Sequence, residues 1–156
     1  IYVGSVIVTH TSTQTNSADT AHLTGYGVLI GSYSDNFACP HLYIKGGTGS
    51  KALCIGEDLA FRTLENIRIA GRIEGTSSAL GVDCGSLVGS DLDLAIGGHT
   101  TDFKIRPGAT FAGNTVRLRG ATSGTIIWPD ATTGTFGTPN VPSAISSTNT
   151  VTTHTY

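Results

Sequence analysis

The feature that most restricts this chain is a period of about two dozen residues carried by its alternating apolar positions. Four segments align when their aliphatic residues are superposed: Leu42-Tyr43-Ile44-Lys45, Ile67-Arg68-Ile69-Ala70, Leu92-Asp93-Leu94-Ala95 and Val116-Arg117-Leu118-Arg119, at steps of 25, 25 and 24 residues. Each is apolar at its first and third positions and polar or small between them, which is the pattern of a strand buried on one face. Turns rich in Gly, Ser and Thr follow, such as Gly46 to Ser50 and Gly120 to Gly124. Such clusters end strands by accepting unusual backbone angles and bonding their own main chain.

Two further families keep the same period. One runs through Leu53/Ile55, Leu80/Val82, Phe103/Ile105 and Ile126/Trp128, with Leu29 lying 24 residues before Leu53. The other runs through Phe37, Phe61, Leu87 and Phe111 at steps of 24, 26 and 24. A chain passing through three short strands and three turns needs a little over twenty residues per circuit and returns about 4.8 Å above its start. No circuit can bury its inner face alone, so several must stack. The expected fold is all-β, a parallel β-helix of about 24–25 residues per rung, with a β-sandwich or jelly roll as the alternative that short, regularly spaced strands also fit. Rungs are expected over 1–128. Residues 129–156, opened by Pro129-Asp130 and dominated by Thr, Ser, Gly, Asn and Pro, are expected to form an irregular cap, a linker or a segment completed by another chain.

Charge narrows the partners. Nine Lys and Arg against eleven Asp and Glu leave no basic field for a phosphate backbone, which argues against nucleic acid. A composition 38% apolar and low in net charge is not that of a disordered chain. Apolar runs such as Val6-Ile7-Val8 are too short for a membrane helix. The chain contains no Met and begins directly on a strand-like segment, so it is expected to be one piece of a longer polypeptide.

In this alignment Tyr43, Arg68, Asp93 and Arg117 point outward in one column. An aromatic ring can pack on a pyranose while charged groups bond hydroxyls or acidic sugars, so these four are the candidate glycan-binding residues. Asp93 also neutralises two stacked arginines, an ordinary cross-strand role. A second column holds Gly56, Asp83 and Arg106, with Glu57 and Asp58 beside it. Carboxylates one or two rungs apart would stand about 5 or 10 Å from each other, the range glycosidases use, which makes Asp83, Glu57 and Asp58 the catalytic candidates. An Arg106 partner would hold the Asp83 carboxyl ionised and unsuited to act as an acid. The five His residues have no metal-ligand spacing, fit surface and turn roles, and imply no metal or other cofactor. Cys39, Cys54 and Cys84 cannot form a complete set of disulfides; Cys54 and Cys84 fall on adjacent rungs, yet free thiols are expected, compatible with assembly in a reducing cytoplasm.

Rungs such as Glu65-Asn66-Ile67-Arg68-Ile69-Ala70-Gly71 and the exit Gly134-Thr135-Phe136-Gly137-Thr138-Pro139-Asn140-Val141-Pro142 resemble the β-helical tailspikes and appendage proteins of bacteriophages. The resemblance covers about residues 20–156 and is architectural. It implies a right-handed β-helix, a homotrimer, a distal trimerisation segment at 129–156, and a place in the virion as part of a longer polypeptide assembled in the host cytoplasm. It also implies binding of bacterial surface polysaccharide or teichoic acid during adsorption, with hydrolase or lyase activity, or a purely structural stalk, as alternatives. No catalytic signature of that family is complete here.

Overall fold

The computed structural model describes residues 2–9, 26–31, 34–46, 51–56 and 63–156. The period-two pattern becomes strand almost throughout, and the one helix among these residues, α1 (Ser143–Ser146), is far too short to cross a membrane. The first arm of the main sheet contains β1 (Val6–Thr9), β3 (Ala38–Gly46), the opening halves of β6 (Arg68–Cys84) and β8 (Asp91–Ile105), β10 (Thr115–Gly120) and β13 (Thr150–Thr155), in that order. The second arm contains β2 (Tyr26–Ile30), β4 (Lys51–Ile55), the closing halves of β6 and β8, then β11 (Thr125–Ile127) and β12 (Thr133–Thr135). A separate three-stranded sheet stacks β5 (Leu64–Glu65), β7 (Leu87–Val88) and β9 (Phe111–Ala112). Every pairing of these strands is parallel except that of β11 with β12.

Register places like on like. Cys39, Ile69, Leu92 and Val116 form one inward column, and Ile44, Ile73 and Ile96 another. Leu53, Val82, Phe103 and Ile126 line the second arm, and Leu64, Leu87 and Phe111 the third sheet. All of these are buried in a single apolar cluster. Each fully enclosed Leu or Ile contributes about 1.5–3 kcal/mol relative to exposure, so the columns are the main force holding the strands together.

The steps are less even than the alignment implies. Cys39 to Ile69 is 30 residues and Ile69 to Leu92 is 23, while Leu92 to Val116 is the expected 24. The 30-residue step from Cys39 to Ile69, less the one residue that a bulge between Cys39 and Leu42 inserts into β3, sets Leu42 opposite Gly71 rather than Ile67. A side chain at Gly71 would begin 2.0 Å from the Leu42 carbonyl oxygen, which is why the shifted register needs glycine there. In the second arm Leu53 meets Val82 instead of Leu80, and Val28 rather than Leu29 stands beneath Leu53. Leu64 takes the place in the third column given above to Phe61, which lies outside the described residues.

The turn from the third sheet into the first arm carries its own ladder. Asn36, Asn66, Gly89 and Gly113 occupy equivalent corners with φ of 57°, 54°, 60° and 67°, the left-handed region that Asn and Gly tolerate. Next to them the Ile67 N–H donates to Ser90 Oγ (2.9 Å), the Ser90 N–H to Asn114 Oδ1 (3.0 Å) and the Asn114 N–H to Asn149 Oδ1 (3.0 Å). Side chains of one strand connection thus satisfy corner amides of the next that the strands leave unpaired.

Residues 129–156 are more regular than an irregular exit. β12 folds back on β11, Phe136 and Ile145 are buried against the core, and the Trp128 indole N–H donates to the Pro139 carbonyl (2.8 Å). β13 then lies parallel and in register on β10, with Val151 above Val116 after a step of 35 residues.

Candidate functional site

The first arm turns its inward columns to the core and leaves the alternate positions outside. The four residues expected in one outward column are divided. Asp93 and Arg117 are register partners, as expected. Arg68 pairs in register with Ala38 and Asp91, and Tyr43 with Arg72, because of the bulge and the long step between β3 and β6.

Ion pairs run diagonally across this face. Arg117 Nη1 donates to Asp91 Oδ1 (2.7 Å), and Arg119 Nη2 lies 2.7 Å from Asp93 Oδ1. Arg72 contacts Glu74, and Tyr43 Oη donates to Glu74 Oε2 (3.0 Å). That hydrogen bond to Glu74 is the main reason the Tyr43 phenol titrates above its ordinary value. Exposed pairs of this kind contribute about 0–1 kcal/mol each, so they order the surface more than they stabilise the fold.

Between the charged side chains the floor is small. Three shallow hollows of about 280, 330 and 530 Å³ lie on this face. Pro40 and Ala70 border two of them, and Arg72 and Ala95 join the largest to the third, so the hollows run into one another. The first arm carries five of the nine Lys and Arg residues (Lys45, Arg68, Arg72, Arg117, Arg119) and three of the eleven acids (Glu74, Asp91, Asp93), in a chain of formal net charge −2. This face is therefore locally cationic on a weakly anionic chain.

Asp83 sits on the second arm and is 2% exposed. Its register partners are Cys54 and Lys104, not Gly56 and Arg106. Lys51 Nζ lies 2.5 Å and Arg106 Nη2 3.1 Å from Asp83 Oδ2, so the expected contact with Arg106 is made and a second cation joins it. Asp83 is thus a buried carboxylate whose Oδ2 is engaged by two cations. Glu57 and Asp58 lie outside the described residues. Among the described residues no three His, Cys, Asp or Glu side chains gather as metal ligands.

Cys54 and Cys84 are on neighbouring strands but point to opposite sides of the sheet, since Cys54 faces Asp83 and Cys84 faces Ile55 in register. All three cysteines are buried, with no disulfide between them. Arg106 Nη2 donates to Cys54 Sγ (2.9 Å), and Cys54 Sγ donates to the Gly56 carbonyl (3.1 Å). Burial pushes the Cys84 thiol far above its ordinary range, with the neighbouring Asp83 charge adding to the effect. We expect iodoacetamide at pH 8 to label Cys39, Cys54 and Cys84 at least a hundredfold more slowly in the folded protein than in urea. Peptide mass mapping reads this directly, and rapid labelling of folded Cys84 would contradict its burial.

Two features were not visible from the sequence. The Asn and Ser corner ladder escaped because its members are spaced irregularly. His99, expected at a surface or turn, has a fully enclosed side chain with Nδ1 3.4 Å from Asp102 Oδ1. Asp102 Oδ2 in turn accepts the Thr125 N–H (3.0 Å), fixing the start of β11.

The described chain is thus an all-β assembly of parallel strands with one charged, furrowed outer face. Comparison with protein-family models, with curated proteins and with solved structures gave no match.

Proposed function

We propose that this chain is a segment of a bacteriophage tailspike or tail fibre that binds bacterial surface polysaccharide during host adsorption. In this reading the stacked strands are rungs of a right-handed parallel β-helix. Parallel pairing of successive strands supports it over a sandwich or jelly roll, in which neighbouring strands are mainly antiparallel. The segment belongs to a longer virion polypeptide and associates as a homotrimer.

The observation that carries the binding function is the outer face of the first arm. Charged side chains held by diagonal ion pairs stand over a floor of Ala, Gly and Pro, and the hollows between them are continuous. A polysaccharide offers this surface hydroxyls along its edges and flat apolar ring faces, which match fixed charges and small apolar patches. Asp83, enclosed by Lys51 and Arg106, supports binding rather than cleavage.

The test is incubation with a panel of bacterial surface polysaccharides, scoring retention and fragment release separately. Retention of at least one polymer without shortening is the expected result. Release of oligosaccharides would replace the binding function with a hydrolase or lyase, and absence of retention on every polymer would leave a structural stalk. Light scattering checks the assembly: a trimer is expected at micromolar concentration, and a stable monomer would remove that part of the reading.

A further inference from the structure

We infer that the hollow between Tyr2 and Arg68 is an anion-selective subsite, and that the polysaccharide it takes is acidic, bearing carboxylate or phosphodiester groups. This rests on the polysaccharide-binding reading above and assigns that face its ligand chemistry.

The arginines of the first arm are not equivalent. Arg72, Arg117 and Arg119 each have a carboxylate partner in Glu74, Asp91 and Asp93 respectively. Arg68 has none among the described residues. Although Asp91 is its register neighbour, the Asp91 carboxylate is engaged by Arg117. Arg68 Nε donates to Asn66 Oδ1 (3.2 Å), which fixes the guanidinium by one edge and leaves its two terminal amino groups for another acceptor. A planar guanidinium held in this way suits bidentate binding of a carboxylate or phosphate.

Tyr2 supplies the second element. It is 73% exposed and bridges in parallel to Ala38, which is the register partner of Arg68. Tyr2 and Arg68 are therefore two strand spacings apart, about 10 Å, with Ala38 at the register position between them. That gap is about the width of a pyranose ring and its substituent. Tyr2, Pro40 and Ala70 border a hollow of about 330 Å³ whose charged lining is Arg68, Arg117, Asp91 and Asp93; Arg117 takes Asp91 and Arg119 takes Asp93, so Arg68 is the cation left over. An aromatic ring can stack on one sugar while the guanidinium takes the acidic group it carries, or that of the next residue. The excess of cations on this arm gives the approach the same sign preference.

The experiment measures affinity of the purified protein for three polymers of matched length, a polyuronate, a poly(glycerol phosphate) and a neutral glucan, by titration at low and high salt. Wild type is expected to bind one or both acidic polymers more tightly than the glucan, with affinity falling as salt rises. Arg68→Ala is expected to weaken that binding about tenfold or more, the loss of a charge-assisted hydrogen-bonded contact. Arg68→Lys should restore part of it, and Lys104→Ala, which removes a cation on the second arm and outside the binding face, should change it less than about threefold. Unchanged thermal midpoints show that the variants are folded. The acidic polymer preferred identifies the source of the anion. Equal binding of the neutral glucan, or indifference of acidic-polymer binding to Arg68→Ala, would overturn the subsite while leaving polysaccharide binding in place. Failure of wild type to bind any of the three and any polymer of the wider panel would overturn both.

Discussion

Replacing Phe136 with alanine is expected to destabilise the protein by about 3–5 kcal/mol, the usual cost of deleting a large buried aromatic side chain. Phe136 is 2% exposed, and its amide donates to the Gly124 carbonyl (2.9 Å). Its ring takes a place that the strand pattern leaves vacant. Gly120 follows Arg119, whose register partner is Ala95, so it stands where the Ile44, Ile73 and Ile96 column would continue. A side chain there would begin 2.2 Å from Phe136 Cε2 and 2.6 Å from the Ile96 carbonyl oxygen. The ring and the glycine are therefore complementary, and residues 129–156 close the core through them. For a chain of this size a loss of that magnitude lowers the thermal midpoint by about 6–20 °C. Gly120→Val should also destabilise, by overpacking rather than by a cavity. Calorimetry on both variants checks the pair; a Phe136→Ala midpoint within 2 °C of wild type would mean that the segment does not cap the core.

The second large effect is expected at Asn114, where alanine should cost about 2–4 kcal/mol, more than an average substitution. Asn114 is 2% exposed and serves three partners. Its Oδ1 accepts the Ser90 N–H (3.0 Å), and its Nδ2 donates to the Leu87 carbonyl (2.8 Å) and to Asn149 Oδ1 (3.0 Å). Alanine leaves all three without that partner inside a corner that excludes water, and the unmade bonds cost more than the made ones contribute. Asn114→Asp is expected to give no rescue at neutral pH. It keeps an acceptor for Ser90 but turns an ionised oxygen toward two other acceptors. Urea denaturation of the two variants reads the difference, and an aspartate variant as stable as wild type would contradict the donor roles.

The sequence made the strand class and much of the inward set legible, and the reason also explains what it hid. Alternation has a period of two, so a slip by an even number of residues leaves every inward residue inward. The assignments of Ile67 beneath Leu92 and of Leu80 beneath Phe103 were each displaced by two residues, and that of Ile67 above Leu42 by four. None of these changes which side chains are buried, so periodicity could not detect them. Only the bulge in β3 and the length of the chain between β3 and β6 fix the register, and neither has a signature in the alternation. The step from Leu92 to Val116 contains no such irregularity, and there Asp93 and Arg117 meet as expected.

The candidate site was legible to the same degree. Its face and its residue types followed from alternation, while its pairings did not, because ion pairs reach diagonally to Asp91 and Arg119 across two positions. Tyr2 was missed because it joins the sheet through an isolated bridge instead of a strand. The contact of Asp83 with Arg106 follows from their spacing, but its second cation, Lys51, comes from β4 at a distance the sequence does not encode.

The register of the first arm decides which side chains share the outer face, and Tyr43 reports on it most directly. In the structure its ring lies against Arg72 and Glu74; in the even alignment it would lie against Arg68, four residues and about 13 Å along the neighbouring strand. Nuclear Overhauser contacts from the Tyr43 ring in isotopically labelled protein separate the two. Cross-peaks to the side chains of Arg72 and Glu74, with none to Arg68, are the predicted result. Cross-peaks from Tyr43 to Arg68 would contradict the register and with it the arrangement of the binding face.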